Sequence, residues 1–81
     1  MRFLFPATVV LEGIKCDYKV YEFKLHPGKY KAELSSSASS HHLVKEIIFW
    51  KEKTNWTTAA RSKTAKHLAQ ILGGDIDHFK N

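Results

Sequence analysis

An alternation of apolar and polar residues, interrupted by turn-forming residues, runs through the first part of the chain. Residues 7–20 have the sequence ATVVLEGIKCDYKV, in which Gly13 separates two alternating runs. Because successive side chains on a strand point to opposite faces, such runs predict two strands that each bury one face. Glycine accepts the positive φ that a type II′ turn needs at its first central position, so we expect a hairpin turn at Gly13-Ile14. This turn would pair Leu11 with Cys16.

A second alternating segment follows, with YEFKL before the turn sequence HPGK and YKAEL after it. Pro27-Gly28 is a turn dipeptide, so a second hairpin is predicted here. The tightest loop would set like charges opposite each other, whereas a four-residue loop from Pro27 to Tyr30 sets Lys24 against Glu33. We therefore expect the wider loop.

The apolar phase changes between Val20 and Tyr21. Cys16, Tyr18 and Val20 share one parity, whereas Tyr21 and Phe23 share the other. An unbroken strand would send these two sets to opposite faces of the sheet, and a β-bulge near Val20-Tyr21 would return them to one face. The sequence leaves both arrangements open.

Residues 35–42, SSSASSHH, form a polar segment that predicts a loop. Its two histidines, His41 and His42, are adjacent, so on an extended chain their side chains point apart. No cysteine or further histidine stands at a metal-ligand spacing from them. We therefore expect a loop here, and neither a metal site nor a cofactor.

The segment LVKEIIFW, residues 43–50, fits two structures. It could form a helix capped by Ser39 or Ser40, but its β-branched and aromatic residues favour a strand. Trp50 and Trp56 flank the polar residues 51–55. Across a hairpin they would form an aromatic pair that belongs to the core and not to a base-stacking surface.

The C-terminal segment carries apolar residues spaced by three and four, which predicts one helix beginning near residue 60. The stripe consists of Ala65, Leu68, Ala69, Leu72, Ile76 and Phe79. Thr58 or Ser62 would cap its start. Gly73-Gly74 would ordinarily end a helix, yet the stripe keeps its phase beyond them, so the end of the helix stays open. The predicted fold is α+β: an antiparallel meander of four to five strands followed by one C-terminal helix packed on one face.

The 81 residues suffice for one small domain, which we expect to span 1–81. No apolar run approaches the roughly 18 residues of a membrane span, and RFLFPATVVL, interrupted by Pro6, makes a poor signal peptide. Cys16 is the single cysteine and has no disulfide partner in the chain. These features predict a cytoplasmic protein that does not interact with membranes.

Catalytic motifs are missing from the sequence. It contains no glycine-rich phosphate loop, no HExxH and no GxSxG. Asp75 and Asp77 could resemble an acid/base pair, but two residues apart on a helix they diverge by about 200°. We therefore expect a protein that is not an enzyme.

One helix can cover only one face of the predicted sheet. The aromatic residues exceed what one face needs, so we expect a second apolar face that binds a protein partner or a second copy of the chain. The candidate interface residues are Tyr21, Phe23, Tyr30 and Phe49.

The net charge of +5 supports a different class of function, a nucleic-acid-binding module. Its candidate phosphate contacts are the clustered basic residues Lys51, Lys53, Arg61, Lys63 and Lys66. The remaining basic residues are spread along the chain, which is typical of a solvated surface.

Overall fold

The computed structural model describes residues 1–37 and 44–80, and these form five strands and one helix. The strands are β1 (Arg2–Leu11), β2 (Ile14–Glu22), β3 (Lys29–Ser37), β4 (Glu46–Glu52) and β5 (Asn55–Thr58), and the helix is α1 (Lys63–Lys80). All neighbouring strands are antiparallel, and their order in the sheet is their order in the chain. The predicted α+β meander with one C-terminal helix is confirmed.

The first hairpin has a different turn from the predicted one. Its two loop residues are Glu12 and Gly13, with φ of 52° and 78°, as in a type I′ turn. Leu11 therefore pairs with Ile14 and not with Cys16. A positive φ is unfavourable for Glu12, but this register moves Ile14 out of the turn and packs it against the core.

The connection between β2 and β3 is longer than the four residues predicted. It spans residues 23–28, and the last strand pair before it joins Glu22 to Tyr30. Lys24 lies in this loop, so the expected pairing of Lys24 with Glu33 is wrong. The observed register places Tyr30 on the same face as Glu22.

The loop is closed by a side chain of the preceding strand. The carboxylate of Glu22 accepts a hydrogen bond from the N–H of Gly28, at 3.3 Å. Gly28 has a φ of 91°, a conformation that favours glycine. The charge-assisted contact inside the loop explains why a wider connection is stable here, in place of a tight Pro-Gly turn.

A β-bulge lies opposite the phase change and not within it. The register of β1 against β2 shifts between Phe3 and Phe5, which pair with Tyr21 and Val20. Leu4 is the additional residue of the bulge. β2 passes this point without a break, so Val20 and Tyr21 point to opposite faces, and the bulge aligns Phe3 with Tyr21.

Helix α1 packs against one of the two faces of the sheet. We call the face against which α1 packs the inner face, and the opposite one the outer face. The Thr64 hydroxyl donates to Glu12 (3.0 Å) and the Lys80 ammonium to Glu22 (3.1 Å), so α1 runs along the inner face from the β1–β2 turn towards the β2–β3 loop. The largest fully buried side chains between them are Tyr18, Phe49, Leu11, Leu68, Leu72 and Ile76.

The prediction of a strand in the segment 43–50 is confirmed for residues 46–50, which belong to β4. Residues 44 and 45 precede this strand, and residue 43 lies outside the described residues. The connection from β4 to β5 is a two-residue turn, Lys53-Thr54, which pairs Lys51 with Trp56. Trp56 therefore lies on the inner face and Trp50 on the outer face. The predicted Trp50–Trp56 pair is wrong, because a two-residue turn sets these positions out of phase.

Helix α1 is capped by Ser62, whose hydroxyl oxygen accepts the N–H of Ala65 at 3.0 Å. Of the two predicted caps, Ser62 is the one used. The helix continues through Gly73 and Gly74 to Lys80. Gly73 lies directly against the indole of Trp56, where a larger residue would not fit.

The predicted loop at 35–42 falls largely outside the described residues. Ser35–Ser37 belong to β3. His41 and His42, together with the alternative helix caps Ser39 and Ser40, lie outside the part of the chain that the structure describes.

Candidate protein interface

The outer face carries two adjoining rows of large side chains at the end of the sheet near the β2–β3 loop. The first row runs across the sheet, and each of its residues pairs with the next one on the neighbouring strand: Phe3, Tyr21, Lys31 and Ile48. In the second row Lys29 pairs with Trp50. We call the apolar members of these rows the aromatic patch: Phe3, Tyr21, Phe23, Ile48 and Trp50.

Phe23 joins the second row although it lies just beyond β2. Its N–H donates to the carbonyl of Lys29 at 3.0 Å, which extends the pairing of β2 with β3 by one residue. Because faces alternate along the chain, Phe23 shares the outer face with Tyr21. Both side chains are half-buried.

Two rings of the aromatic patch contact each other, and a third contacts a neighbouring lysine. Phe3 and Tyr21 meet edge to face with ring centroids 5.5 Å apart. The ammonium of Lys29 lies 6.0 Å from the centre of the Trp50 ring, a cation–π distance. The Trp50 indole N–H donates to Glu52 at 3.1 Å. Phe3 nevertheless remains 49% exposed, so the patch is open to solvent.

Charges on the outer face balance. The strand registers place four lysines there (Lys15, Lys19, Lys29 and Lys31) and four carboxylates (Asp17, Glu33, Glu46 and Glu52). The chain as a whole has a charge of +5, so the excess of positive charge lies elsewhere.

Several of these charges are paired on the face itself. Lys31 lies 3.2 Å from Glu33 and 3.4 Å from Glu46, and the hydrogen bond with Glu33 is the main cause that raises the pKa of Lys31. Asp17 accepts hydrogen bonds from the hydroxyls of Thr8 (2.6 Å) and Ser36 (2.8 Å), which lower its pKa. The polar part of the face therefore contains two ordered clusters, one around Lys31 and one around Asp17.

The four candidate interface residues from the sequence are divided between the two faces. Tyr21 and Phe23 lie on the outer face, within the aromatic patch. Tyr30 and Phe49 are buried on the inner face beneath α1, because Tyr30 shares the face of Glu22. The structure therefore does not bring the four together.

Sequence reasoning missed three members of the patch, Phe3, Ile48 and Trp50. The signal for Ile48 and Trp50 was present, since both alternate with the buried Phe49. Phe3 gave no signal of its own, because the bulge at Leu4 decides which way it points.

Tyr30 and Phe49 belong to an inner aromatic cluster with Trp56. The ring centroids of Tyr30 and Phe49 lie 5.6 and 5.8 Å from that of Trp56. The Trp56 N–H donates to Asp77 at 3.1 Å, and this bond, followed by that from Lys51, lowers the pKa of Asp77. The cluster is a packed core with one polar anchor.

The candidate phosphate contacts form two separate groups. Lys51 makes an ion pair with Asp77 at 3.1 Å, near the end of α1, and Lys53 lies in the adjacent turn. Lys63 and Lys66 lie in the first turn of α1, and Arg61 lies just before the helix. Since Asp77 follows Lys63 by fourteen residues, about 21 Å of helix separates the two groups. They do not make one continuous basic surface.

A buried carboxylate ties three parts of the fold together. Glu22 contacts Arg2 of β1 at 3.0 Å, Lys80 of α1 at 3.1 Å and the N–H of Gly28. Burial alone would raise the pKa of Glu22, but the hydrogen bonds from Lys80 and Gly28 and the charges of Lys80 and Arg2 bring it below the ordinary value of 4.5. These partners satisfy the carboxylate and give it a structural role.

Comparisons with models of known protein families, with curated proteins and with solved structures find no match to this chain. Within residues 1–37 and 44–80, no three His, Cys, Asp or Glu side chains form a potential metal site. No helix of these two ranges has the length and apolar character to cross a membrane.

Proposed function

We propose that the protein is a non-enzymatic interaction module and that its aromatic patch binds a second copy of the chain. The observation that carries the proposal is the patch itself, five large apolar side chains in two adjoining rows on the face opposite α1. Lys29 and Lys31 of β3 lie between its members on β2 and its members on β4. Such a cluster of large apolar side chains on the surface of a small protein marks a binding surface, because leaving it in water lowers solubility. Two-fold self-association is the commonest way to cover such a face.

The balance of charges on the outer face supports a second copy as the partner. In a two-fold interface each residue of one copy meets the same surface on the other, so the face must carry both signs to complement itself. A nucleic acid would instead meet four lysines offset by four carboxylates, and would release few counterions.

The size of the face also suits a dimer. Five strands spaced about 4.8 Å apart, each about eight residues long at about 3.3 Å per residue, present roughly 24 by 26 Å. The projected area is about 600 Å², and side-chain relief makes the accessible area larger. A stable interface buries about 800 Å² on each partner, which the outer face can supply.

The test is a charged residue in the patch, Phe23→Asp, with Leu25→Asp as the matched control. Leu25 lies in the same loop but is 88% exposed and outside the patch. We expect the wild type and Leu25→Asp to be dimers, and Phe23→Asp to be a folded monomer, because a half-buried interface anchor tolerates no unpaired charge.

Light scattering and sedimentation over a range of concentrations give the oligomeric state, and circular dichroism with thermal melts confirms folding. A wild type that stays monomeric at every concentration contradicts the proposal. A Phe23→Asp variant that unfolds outright contradicts it as well, since Phe23 would then be a core residue.

The same preparations separate the proposal from nucleic-acid binding. Electrophoretic shift assays with single- and double-stranded DNA and RNA should show no complex at low salt. A complex that dissociates steeply as salt rises, and that Lys63→Glu weakens, would favour the nucleic-acid-binding module instead. An apolar dimer interface responds little to the same change of salt.

A further inference from the structure

Strand β1 lies at the edge of the sheet that residues 1–37 and 44–80 form, where β2 is its one neighbouring strand. Leu11 and Ile14 flank the two-residue turn and so form a hydrogen-bonded pair. Hydrogen-bonded and non-hydrogen-bonded pairs alternate along an antiparallel ladder. The backbone groups of Val10, Thr8 and Pro6 therefore point away from β2, towards the open side.

A groove runs between this edge and the C-terminal half of α1. It has a volume of about 500 Å³ and is lined by residues 5–8 of β1 and by Asp75, His78 and Phe79 of α1. The rings of Phe5 and Phe79 lie 5.0 Å apart, and Phe79 is still 53% exposed. The groove thus combines an open strand edge with a half-covered apolar wall.

Asp75 supplies the charge of this groove. It is exposed, and it makes no ion pair with any residue in the described ranges. Asp75 and Phe79 lie four residues apart on α1, which separates them by about 6 Å along the helix. Alternate side chains of an extended strand are about 6.7 Å apart, so two of them can face Asp75 and Phe79 together.

We propose that this groove binds an extended peptide segment of another protein, which adds to the sheet as a strand beside β1. The segment carries an apolar side chain against Phe5 and Phe79 and, two residues away, a lysine or arginine beside Asp75. Backbone hydrogen bonds to β1 supply affinity, and the alternate side chains in the groove supply specificity. This site is separate from the aromatic patch.

Proline in the strand favours a peptide over a second copy at this edge. The three outward residues of β1 offer five hydrogen-bonding groups to a peptide, because only the N–H of Pro6 is missing. In a two-fold pairing of β1 with itself about Thr8, Pro6 of each copy faces Val10 of the other. That arrangement lacks two bonds of six, so it is the weaker one.

The test is selection of peptides from a random library of roughly ten residues, enough to span β1, displayed on phage and panned on the wild-type protein. We expect enriched sequences with an apolar residue two positions from a lysine or arginine. Selection on Asp75→Lys should replace the basic residue with Asp or Glu, because the charge that selects it has been reversed.

Two edge variants test strand addition with one selected peptide. Val10→Pro removes an outward N–H, and Val10→Thr keeps it, so Val10→Pro should weaken binding at least about tenfold and Val10→Thr should not. The bound peptide should also slow hydrogen exchange at the amides of Thr8 and Val10. Circular dichroism confirms that each variant is folded.

Three results would overturn the proposal. The first is a library that yields no enriched sequence, and the second is an Asp75→Lys selection that returns the wild-type pattern. The third is a bound peptide that slows hydrogen exchange only at residues of the aromatic patch and not at Thr8 and Val10. The last would assign the peptide to the aromatic patch. The Asp75→Lys selection decides the matter even if Val10→Pro fails to fold.

Discussion

Adding one methyl group at either of two neighbouring glycines of α1 should have opposite effects on stability. In a helix interior, Gly→Ala is favourable by about 1 kcal/mol through backbone entropy. At Gly74 an added Cβ meets no atom within 4 Å, so Gly74→Ala should gain most of this amount. For a chain of this size that corresponds to a melting temperature higher by about 4–8 °C.

At Gly73 the added Cβ would clash with three atoms of the indole ring of Trp56. The ring has little freedom to move, because Asp77 accepts its N–H and Tyr30 and Phe49 pack against it. Overpacking of this kind costs about 1–3 kcal/mol and more when a large side chain must leave its site. After the helix-propensity gain of about 1 kcal/mol is subtracted, Gly73→Ala should be destabilised by up to about 2 kcal/mol, and by more if the indole is displaced.

Thermal and urea unfolding followed by circular dichroism and tryptophan fluorescence measure both variants. Combining Gly73→Ala with Trp56→Leu should remove the clash, so the loss caused by the alanine should shrink or reverse in that background. If Gly73→Ala proves as stable as Gly74→Ala, the close contact between Trp56 and α1 does not exist, and the reasoning fails.

Three further perturbations test other contacts. The pKa of Glu22 is lowered in the folded protein, so its contribution is present above pH 4.5 and should be lost on acidification; acid titration of Glu22→Gln should lack that transition. Burial raises the pKa of Tyr18 from 10.0 to about 12, so stability should fall as pH rises from 10 towards 12; Tyr18→Phe should lack this fall, and the tyrosinate absorbance that the variant lacks reports the ionisation of Tyr18. Ser62→Ala should cost about 1 kcal/mol in urea melts, whereas Ser62→Asp should restore a cap; equal stability of wild type and alanine variant would exclude the cap.

The existence of the strands and of the helix could be predicted because their signals are local. Alternation marks β1 to β3, and the three-and-four spacing of apolar residues marks α1 through Gly73 and Gly74. The pairing registers could not be predicted, because contacts distant in sequence select them. The β1–β2 turn accepts a positive φ at Glu12 because Ile14 then packs against the core.

The candidate interface could be predicted in part, because some of its residues follow a local pattern and others depend on distant contacts. Tyr21 and Phe23 follow the unbroken phase of β2, so their shared face was visible in the sequence. The face on which Tyr30 lies depends on the length of the β2–β3 loop. That length is stabilised by the Glu22 carboxylate, which accepts the N–H of Gly28. Trp50 and Trp56 separate because the turn between them has two residues and not five.

The order of elements along the chain has a consequence for synthesis. All five strands precede α1, and each pairs with the strand made just before it. Every hairpin can therefore form as soon as its second strand has left the ribosome, since it needs no later residue. The inner face is covered by α1, which is made after all five strands.

Between the end of β5 and the end of α1 the ribosome adds about twenty residues, which takes roughly 1–4 s at 5–20 residues per second. During that interval Tyr30 and Phe49 meet water on one side of the nascent sheet while the aromatic patch meets it on the other. A sheet with two apolar faces is a substrate for chaperones and a nucleus for aggregation. The greatest risk of misassembly for this domain therefore falls between the synthesis of β5 and that of α1.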